Sequence, residues 1–313
     1  MKKIVVIANR TAGRGRAIVA IQEAKRTLWG WPLEFICPES RDHLQRVCRD
    51  LDPEVYEAAV VIGGDGTMNQ ALRGMANGQV PLFAYPGGTA NDFAGELGMT
   101  GHWEQVQRLL DKRIIEPIDL IMANGIPFAT VAGIGVGSIL TAELNEQRQK
   151  SVLFREGLKR LRSELYTVLS AKTVLFRRDY LYHLHIRSNV FDEKIKTAAV
   201  FVCNQNKLAG NLRVAQFSEH NDQMFSVLII PGHRIDELIG SLLKLKFGKL
   251  AKGDFISFST QSLTIRDLQG RPFAVFGDGE TLIEDTAVEF KIRPKGIQVY
   301  KERRKNGTRI GKP

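Results

Sequence analysis

The chain has 313 residues, of which 43% are hydrophobic and 25% are charged, as is typical of globular proteins, and this length predicts two domains. No apolar run reaches the roughly 18 residues of a membrane span, and the N-terminus does not resemble a signal peptide, which predicts a cytoplasmic protein. The three cysteines have no paired spacing, which argues against a disulfide framework and a zinc site.

The first part of the chain, up to about residue 122, alternates strand-like and helix-like patterns. Apolar runs predict strands at 4–8, 33–37, 58–62, 82–85 and 114–120, and helices are predicted at 14–28, 41–51 and 102–110. This alternation predicts an α/β domain with an open, mostly parallel sheet and helices on both faces.

The rest of the chain is rich in short β-type runs that are separated by turn residues. They predict strands at 128–131, 173–176, 181–186, 197–203, 224–230, 255–258, 262–266 and 273–276. This pattern indicates a second, all-β domain over 123–289, an antiparallel β-sandwich interrupted by helices at 152–169 and 234–245. Two last strands, 288–292 and 297–300, are predicted to return towards the first domain and complete it over 290–304, before a basic tail at 305–313.

Two glycine-rich turns follow neighbouring strands of the predicted parallel sheet. Residues 63–67 read Gly-Gly-Asp-Gly-Thr, and residues 87–93 read Gly-Gly-Thr-Ala-Asn-Asp-Phe. Glycines let backbone N–H groups approach a phosphate, the following helix start favours anions, and the aspartates supply oxygens for Mg²⁺. Neither a Walker A sequence nor a complete Rossmann fingerprint is present. The two turns together predict a site for nucleotide phosphates.

Two further segments carry residues suited to phosphoryl transfer. The turn after the first strand, 9–15, places small residues and arginines at a helix start, which suits a polyphosphate or simply a basic helix entry. Residues 277–280 read Gly-Asp-Gly-Glu, which places two carboxylates where a base could accept a hydroxyl proton. The alternative interpretation of 277–280 is an ordinary hairpin turn with Asp-Gly at its centre.

These motifs occur in the order and spacing of a known family. With Ile118-Asp119-Leu120 between them, they make the sequence resemble the bacterial diacylglycerol kinase-like lipid kinases, relatives of the sphingosine and ceramide kinases. The resemblance covers nearly the whole chain. It implies an N-terminal α/β domain and a C-terminal β-sandwich, with ATP and Mg²⁺ bound between them and a γ-phosphoryl group transferred to a membrane lipid, diacylglycerol first among the candidates.

The resemblance also implies a role for each matching residue. Asp65, Asp92 and Asp119 would form an acidic network around Mg²⁺ and the phosphates. Asp65, Asp278 and Glu280 would be catalytic, with Glu280 taken as the general base, although the choice between Asp278 and Glu280 stays open. ATP would be bound by Asn9, Arg10, Thr11, Ala12, Gly13, Gly63, Gly64, Asp65, Gly66, Thr67, Met68, Asn69, Gln70, Gly88 and Thr89.

Four positions depart from the family pattern. Arg10 replaces a proline, Gln70 replaces a glutamate, and Cys37 stands where a threonine is usual. The Asp-Asp-Gly turn that holds a structural Mg²⁺ in the family reads Asn-Asp-Gln at 221–223, which leaves Asp222 as the metal ligand at that site. None of these departures involves Asp65, Asp92 or Glu280, so we expect an active kinase.

The net charge of +10 and a basic, leucine-rich run at 238–250 are typical of a protein that contacts an anionic membrane surface, and packing on the sandwich is the alternative for that run. Nucleic acid is not an expected partner, because no stacking aromatics accompany the basic residues. We therefore expect a cytoplasmic kinase bound peripherally at the inner face of the membrane. A soluble kinase of the NAD kinase type and a non-catalytic nucleotide- or lipid-binding relative are the alternatives.

Overall fold

The computed structural model of the protein describes residues 1–8, 16–76, 78–88, 91–135, 181–204, 207–208, 212–213, 220–232, 255–277 and 280–302. For residues 16–18, 207–208, 212–213 and 280, only the backbone is described. The predicted helices 152–169 and 234–245, the predicted strand 173–176, the basic tail and the run at 238–250 lie outside these residues. Among the described helices, none is long and apolar enough to cross a membrane.

The N-terminal part of the chain alternates strands and helices, as the sequence predicts. Its strands are β1 (Lys3–Ala8), β2 (Leu33–Ile36), β3 (Tyr56–Gly63) and β4 (Leu82–Pro86). Its helices are α1 (Arg16–Thr27), α2 (Arg41–Arg49), α3 (Asp65–Met75), α4 (Asp92–Glu96) and α5 (Trp103–Asp111). The four strands pair in parallel in the order β2, β1, β3, β4. The central strands β1 and β3 are almost wholly buried, which explains their continuous apolar runs.

The remaining strands form the C-terminal part of the chain. They are β5 (Ile115–Ala123), β6 (Ile126–Phe128), β7 (Val131–Gly135), β8 (Tyr182–Arg187), β9 (Asp192–Cys203), β10 (Lys207–Leu208), β11 (Leu212–Arg213), β12 (Phe225–Pro231), β13 (Ile256–Thr260), β14 (Ser262–Asp267), β15 (Phe273–Gly277), β16 (Glu280–Asp285) and β17 (Ala287–Tyr300). Strands β7, β8, β9, β12, β13, β14, β15 and β16 pair antiparallel.

The protein is a mixed α/β structure with a large sheet. Fifteen of the strands in the described ranges belong to one sheet that contains both parallel and antiparallel pairs. Contacts divide the chain into two compact units, one made of Met1–Pro117 with the segment that begins at Ile297, and the other of Ile118–Gly296. The first unit has its core on both sides of β1 and β3, and the second has a core of residues from β5 to β17 such as Phe128, Val202 and Phe290.

The C-terminal strand differs from the prediction of two separate strands at 288–292 and 297–300. Residues from Ala287 to Tyr300 form one strand, β17, whose first half pairs antiparallel with β14. Near its end, Val299 pairs in parallel with Leu82 of β4. Lys295 lies between the two predicted strands and adopts a positive φ of 51° within the continuous strand. Its backbone N–H donates to Asp119, which stabilises that conformation.

Candidate active site

The two glycine turns lie side by side because their strands are neighbours in the parallel sheet. Strand β3 ends at Gly63 and β4 ends at Pro86, and these two residues are paired in register. Helix α3 then begins at Asp65 and helix α4 at Asp92. The backbone N–H of Gly87 donates to the carbonyl oxygen of Gly63 (2.8 Å), which joins the two turns directly.

The close approach of these turns requires glycine in both. A Cβ atom at Gly88 would lie 2.4 Å from the Cα of Gly64, and a Cβ at Gly64 would lie 3.1 Å from the Cα of Gly88. These neighbours are backbone atoms, so they could not move aside as a flexible side chain would. The glycines at these positions therefore bring two stretches of backbone into contact, which is one of the uses of a residue without a side chain.

The carboxylate of Asp65 ties the start of α3 to the start of α4. Its Oδ1 accepts a hydrogen bond from the backbone N–H of Asp92 (2.7 Å), and its Oδ2 accepts one from the N–H of Asn91 (3.0 Å). Both bonds involve an ionised acceptor, which makes them stronger than bonds between neutral groups. Asp65 therefore positions the second turn.

Asn91 holds the second turn in shape, a role that was not predicted from the sequence. It precedes α4 in a left-handed conformation (φ 55°, ψ 42°). Its side-chain Oδ1 accepts from the N–H of Gly88 (2.8 Å), and its Nδ2 donates to the carbonyl oxygen of Gly88 (3.1 Å). The signal was the residue type itself, because asparagine adopts positive φ more readily than most residues and binds nearby backbone groups.

The described backbone N–H groups of the second turn are engaged in hydrogen bonds, and the first turn leads into the start of a longer helix. In the second turn, the N–H groups of Gly87, Gly88, Asn91 and Asp92 all donate within the two turns. Helix α3 has 11 residues, and its N-cap, Gly64, forms no side-chain capping bond. The N–H groups of a first helical turn have no partners within the helix and attract anions.

Residues Met68, Asn69 and Gln70, predicted to contact the nucleotide, have buried side chains in α3. Gln70 accepts a hydrogen bond from the Nε2 of Gln45 in α2, and its own Nε2 donates to Asn69 (3.5 Å). A buried amide is far less costly than a buried carboxylate, which explains how glutamine is accommodated where the family has glutamate. Helices α2 and α3 can approach closely because Gly74 has no side chain. A Cβ atom at this position would lie only 2.5 Å from the carbonyl oxygen of Gln45.

Asp119 is a buried hydrogen-bond hub in the second unit, with 1% of its surface exposed. Its Oδ2 accepts from the N–H of Gln223 (2.7 Å) and its Oδ1 from the N–H of Lys295 (2.8 Å). Both donors have positive φ, 60° and 51°. Its own N–H donates to the carbonyl oxygen of His220 (2.6 Å). Asp119 therefore fixes the turn that contains Asp222, whose Oδ1 accepts from the N–H of Met224 (2.9 Å).

The donor set fits a magnesium–nucleotide complex at the glycine turns. Within the described ranges, no group of three or more His, Cys, Asp or Glu side chains is placed to hold a metal ion. Magnesium bound together with phosphates needs only one or two carboxylates, because phosphate oxygens and water complete its octahedron. Asp65 and Asp92, at the starts of adjacent helices, meet that requirement.

Several predicted site residues lie outside the described residues. These are Asn9, Arg10, Thr11, Ala12, Gly13, Thr89 and Asp278, together with the side chain of Glu280. The backbone pairs Gly277 of β15 with Glu280 of β16, and these two strands are antiparallel.

Burial raises the pKa values of two side chains in the first unit. Burial raises the pKa of Tyr85, on β4, to about 12, and its hydroxyl donates to the carbonyl oxygen of Gly101. Burial also raises the pKa of the Cys48 thiol, on α2, to about 12. Both groups are neutral near pH 7 and therefore serve packing rather than proton transfer.

Known proteins resemble this chain in sequence and fold. Residues 3–123 match the family described as the diacylglycerol kinase catalytic domain. A protein of Pseudomonas aeruginosa named "Probable lipid kinase YegS-like" is 33% identical over 308 residues, which cover 95% of this chain and 88% of the relative. Human sphingosine kinase 1 is 24% identical over 170 residues, which cover 47% of this chain and 44% of the relative. The crystal structure of a diacylglycerol kinase from Bacillus anthracis has 18% identity and a TM-score of 0.71, with 96% of this chain and 97% of that chain covered.

Proposed function

Because the chain belongs to the family of diacylglycerol kinase-like lipid kinases, which use ATP, we propose that it transfers the γ-phosphoryl group of ATP to a hydroxyl of a membrane lipid. We take diacylglycerol as the acceptor and Mg²⁺ as the required ion. The observation that carries the proposal is the pair of glycine turns joined through Asp65, each of which leads into the start of a helix.

On the nucleotide side, the first turn supplies the contacts to phosphate. The backbone at Gly63 and Gly64 and the first N–H groups of α3 bind phosphate oxygens, with Asn9 to Gly13 and Thr89 completing the pocket. Asp65 and Asp92 would hold Mg²⁺, and the bound ion would supply positive charge against the phosphates. Donors that are already fixed need no reorganisation during the reaction, so they stabilise the transition state efficiently.

On the acceptor side, Glu280 accepts the proton of the lipid hydroxyl. The hydroxyl oxygen attacks the γ-phosphorus, and the bond between that phosphorus and the bridging oxygen of the leaving ADP breaks. Asp278, two positions earlier in the sequence, orients that hydroxyl. In this proposal residues 123–289 form the domain that receives the lipid, and Asp119 acts by holding the turn at 220–223. The enzyme works in the cytoplasm and associates peripherally with the inner face of the membrane.

The test is transfer of labelled γ-phosphate from ATP to a panel of lipids in mixed micelles. We expect label on diacylglycerol, with kcat reduced roughly 100- to 10,000-fold by Glu280→Gln, the range for loss of a general base. Glu284→Gln is the matched control, because it removes an exposed carboxylate from the same strand. Asp65→Ala is expected to abolish transfer by releasing the second turn.

Three outcomes separate the alternatives. Loss of label in Glu280→Gln but not in Glu284→Gln supports the proposal. Label on NAD without micelles would instead identify a soluble kinase. ATP binding by calorimetry with no label on any acceptor would identify a non-catalytic relative.

A further inference from the structure

One exposed face of the second unit carries a marked excess of positive charge. Strands β9, β8, β14 and β17 lie next to one another in that order. Their outward side chains include five permanent cations, two histidines and two carboxylates. This basic face consists of Lys194, Lys196, His183, His185, Arg187, Arg266, Lys291, Asp192 and Glu289.

Strand register places these side chains on one side of the sheet. Lys194 lies directly opposite His185, Lys196 lies opposite His183, and Arg266 lies opposite His185 from the other neighbouring strand. Successive side chains of a strand point to opposite faces. The alternate residues, such as Leu184 and Ile265, are accordingly buried in the core.

The two carboxylates of the basic face are already engaged in ion pairs. Asp192 forms an ion pair with Arg187 (3.5 Å) and a hydrogen bond with His185 (2.7 Å), and Glu289 forms an ion pair with Lys291 (2.8 Å). By contrast, Lys194, Lys196 and Arg266 form no ion pair with any residue in the described ranges. Their charges are thus available to an external anion.

Solvation alone does not explain this arrangement. The outward face of an antiparallel sheet needs polar residues, and mixed charges or neutral side chains satisfy that need. Lys194, Lys196 and Arg266 have no carboxylate directly opposite them, where an opposite charge would stabilise the sheet. The three unpaired cations on β9 and β14 are therefore better explained by an anionic partner that neutralises them.

The shape of the adjoining surface favours a lipid partner. Beside β17 lies a cavity of about 380 Å³, whose lining includes the basic Lys291 and Arg293, the apolar Met122 and Ile292, and Glu289, which pairs with Lys291. Cations next to apolar side chains suit a phosphate headgroup with the first part of its hydrocarbon chain. Extended nucleic acid would make no use of the apolar part of this lining.

We propose that the basic face docks the protein on a membrane surface rich in anionic phospholipid. The proposal rests on the proposed function, since a lipid kinase must reach an acceptor in the bilayer. Diacylglycerol itself has no charge, so electrostatic attraction has to come from neighbouring anionic headgroups. Each lysine or arginine near such a surface strengthens binding by roughly fivefold, and the effect declines with salt.

The test uses the full chain and sedimentation with phosphatidylcholine vesicles, with or without phosphatidylglycerol. The variant carries Lys194→Gln, Lys196→Gln and Arg266→Gln. The matched control carries Arg26→Gln, Arg46→Gln and Arg49→Gln, which remove three exposed cations from α1 and α2 of the first unit. A third protein with Lys194→Arg, Lys196→Arg and Arg266→Lys retains the charge of the face.

We expect the wild type to bind anionic vesicles and not neutral ones, and to lose binding as salt rises. The variant should bind roughly 100-fold more weakly, the control much less so, and the charge-retaining protein like the wild type. Equal weakening in variant and control, or no binding by the wild type, would overturn the proposal, as would tighter binding of an RNA or DNA oligonucleotide than of anionic vesicles.

A second readout separates this proposal from the proposed function. In nonionic micelles the electrostatic attraction is absent, so the variant should transfer phosphate as fast as the wild type. Weak vesicle binding with full micelle activity supports the docking face. If the wild type binds anionic vesicles through this face but phosphorylates no lipid, the proposed function fails while the docking face stands. Matching melting temperatures of the variant and the wild type establish that the variant is folded.

Discussion

The contact between the two glycine turns is tested most severely by Gly88→Ala. The new Cβ would lie 2.4 Å from the Cα of Gly64 and 2.9 Å from the Oδ1 of Asn91. Ordinary van der Waals contact begins at 3.4 Å, so the turns would have to separate by about 1 Å. The matched control is Gly95→Ala, because a Cβ there would have no neighbour within 4 Å.

A separation of that size would break the hydrogen bonds that join the turns. The bond from Gly87 to Gly63 is 2.8 Å long, and those to Asp65 are 2.7 and 3.0 Å. Lengthening each by about 1 Å takes it beyond hydrogen-bonding distance. Overpacking of this kind lowers the free energy of unfolding by about 1–3 kcal/mol, and a misplacement of about 1 Å in a reactive site reduces the rate roughly 100-fold.

The assays are thermal unfolding and transfer of labelled phosphate to diacylglycerol. We expect Gly88→Ala to lower the melting temperature by several degrees and to reduce kcat/KM roughly 100-fold. Gly95→Ala should leave activity intact and slightly raise stability, because alanine is favoured over glycine within a helix. If Gly88→Ala kept both the melting temperature and the activity of the wild type, the turns would not be in the contact described.

Three other predictions concern single residues. Asp65→Asn places an amide donor opposite a backbone N–H group, so it should lower the free energy of unfolding by about 1–3 kcal/mol. The control Asp42→Asn, in the first turn of α2, should change it by less than about 1 kcal/mol. Chemical denaturation measures both values. Asp119→Asn should destabilise the protein by about 1–3 kcal/mol, because one N–H of the turn at 220–223 or of β17 loses its acceptor. An unchanged unfolding midpoint would contradict the role of Asp119 as a hydrogen-bond hub. Burial raises the pKa of Cys48 from 9.0 to about 12. As pH rises from about 9 to 12, the thiol ionises in the unfolded state while it stays neutral in the native state, so the free energy of unfolding should fall over that range. Denaturation of Cys48→Ala over that range should show a smaller decrease.

Much of the first unit was predictable because local sequence determines it. Continuous apolar runs identified β1, β3 and β4, and the glycines and aspartates after β3 and β4 marked where two helices begin. Parallel pairing then brought the two turns together, as expected for strand ends at one edge of a sheet.

Features that depend on contacts distant in sequence were not predictable. The continuity of β17 depends on the bond from Lys295 to Asp119, which are 176 positions apart. The partner of Gln70 is Gln45, which lies on another helix. Sequence patterns report the face a residue occupies, whereas these contacts depend on how elements pack. For the same reason, the carboxylates of Asp65 and Asp119 could be predicted to matter, but their backbone partners could not.

The central claim is that this chain phosphorylates a lipid hydroxyl with ATP, and the most direct measurement is identification of the product by mass spectrometry. Purified protein is incubated with ATP, Mg²⁺ and diacylglycerol in nonionic micelles, beside the Glu280→Gln and Glu284→Gln variants. The account predicts phosphatidic acid from the wild type and Glu284→Gln and a trace or none from Glu280→Gln. Equal product from all three would contradict the role of Glu280, and a phosphorylated water-soluble acceptor in place of phosphatidic acid would contradict the claim itself.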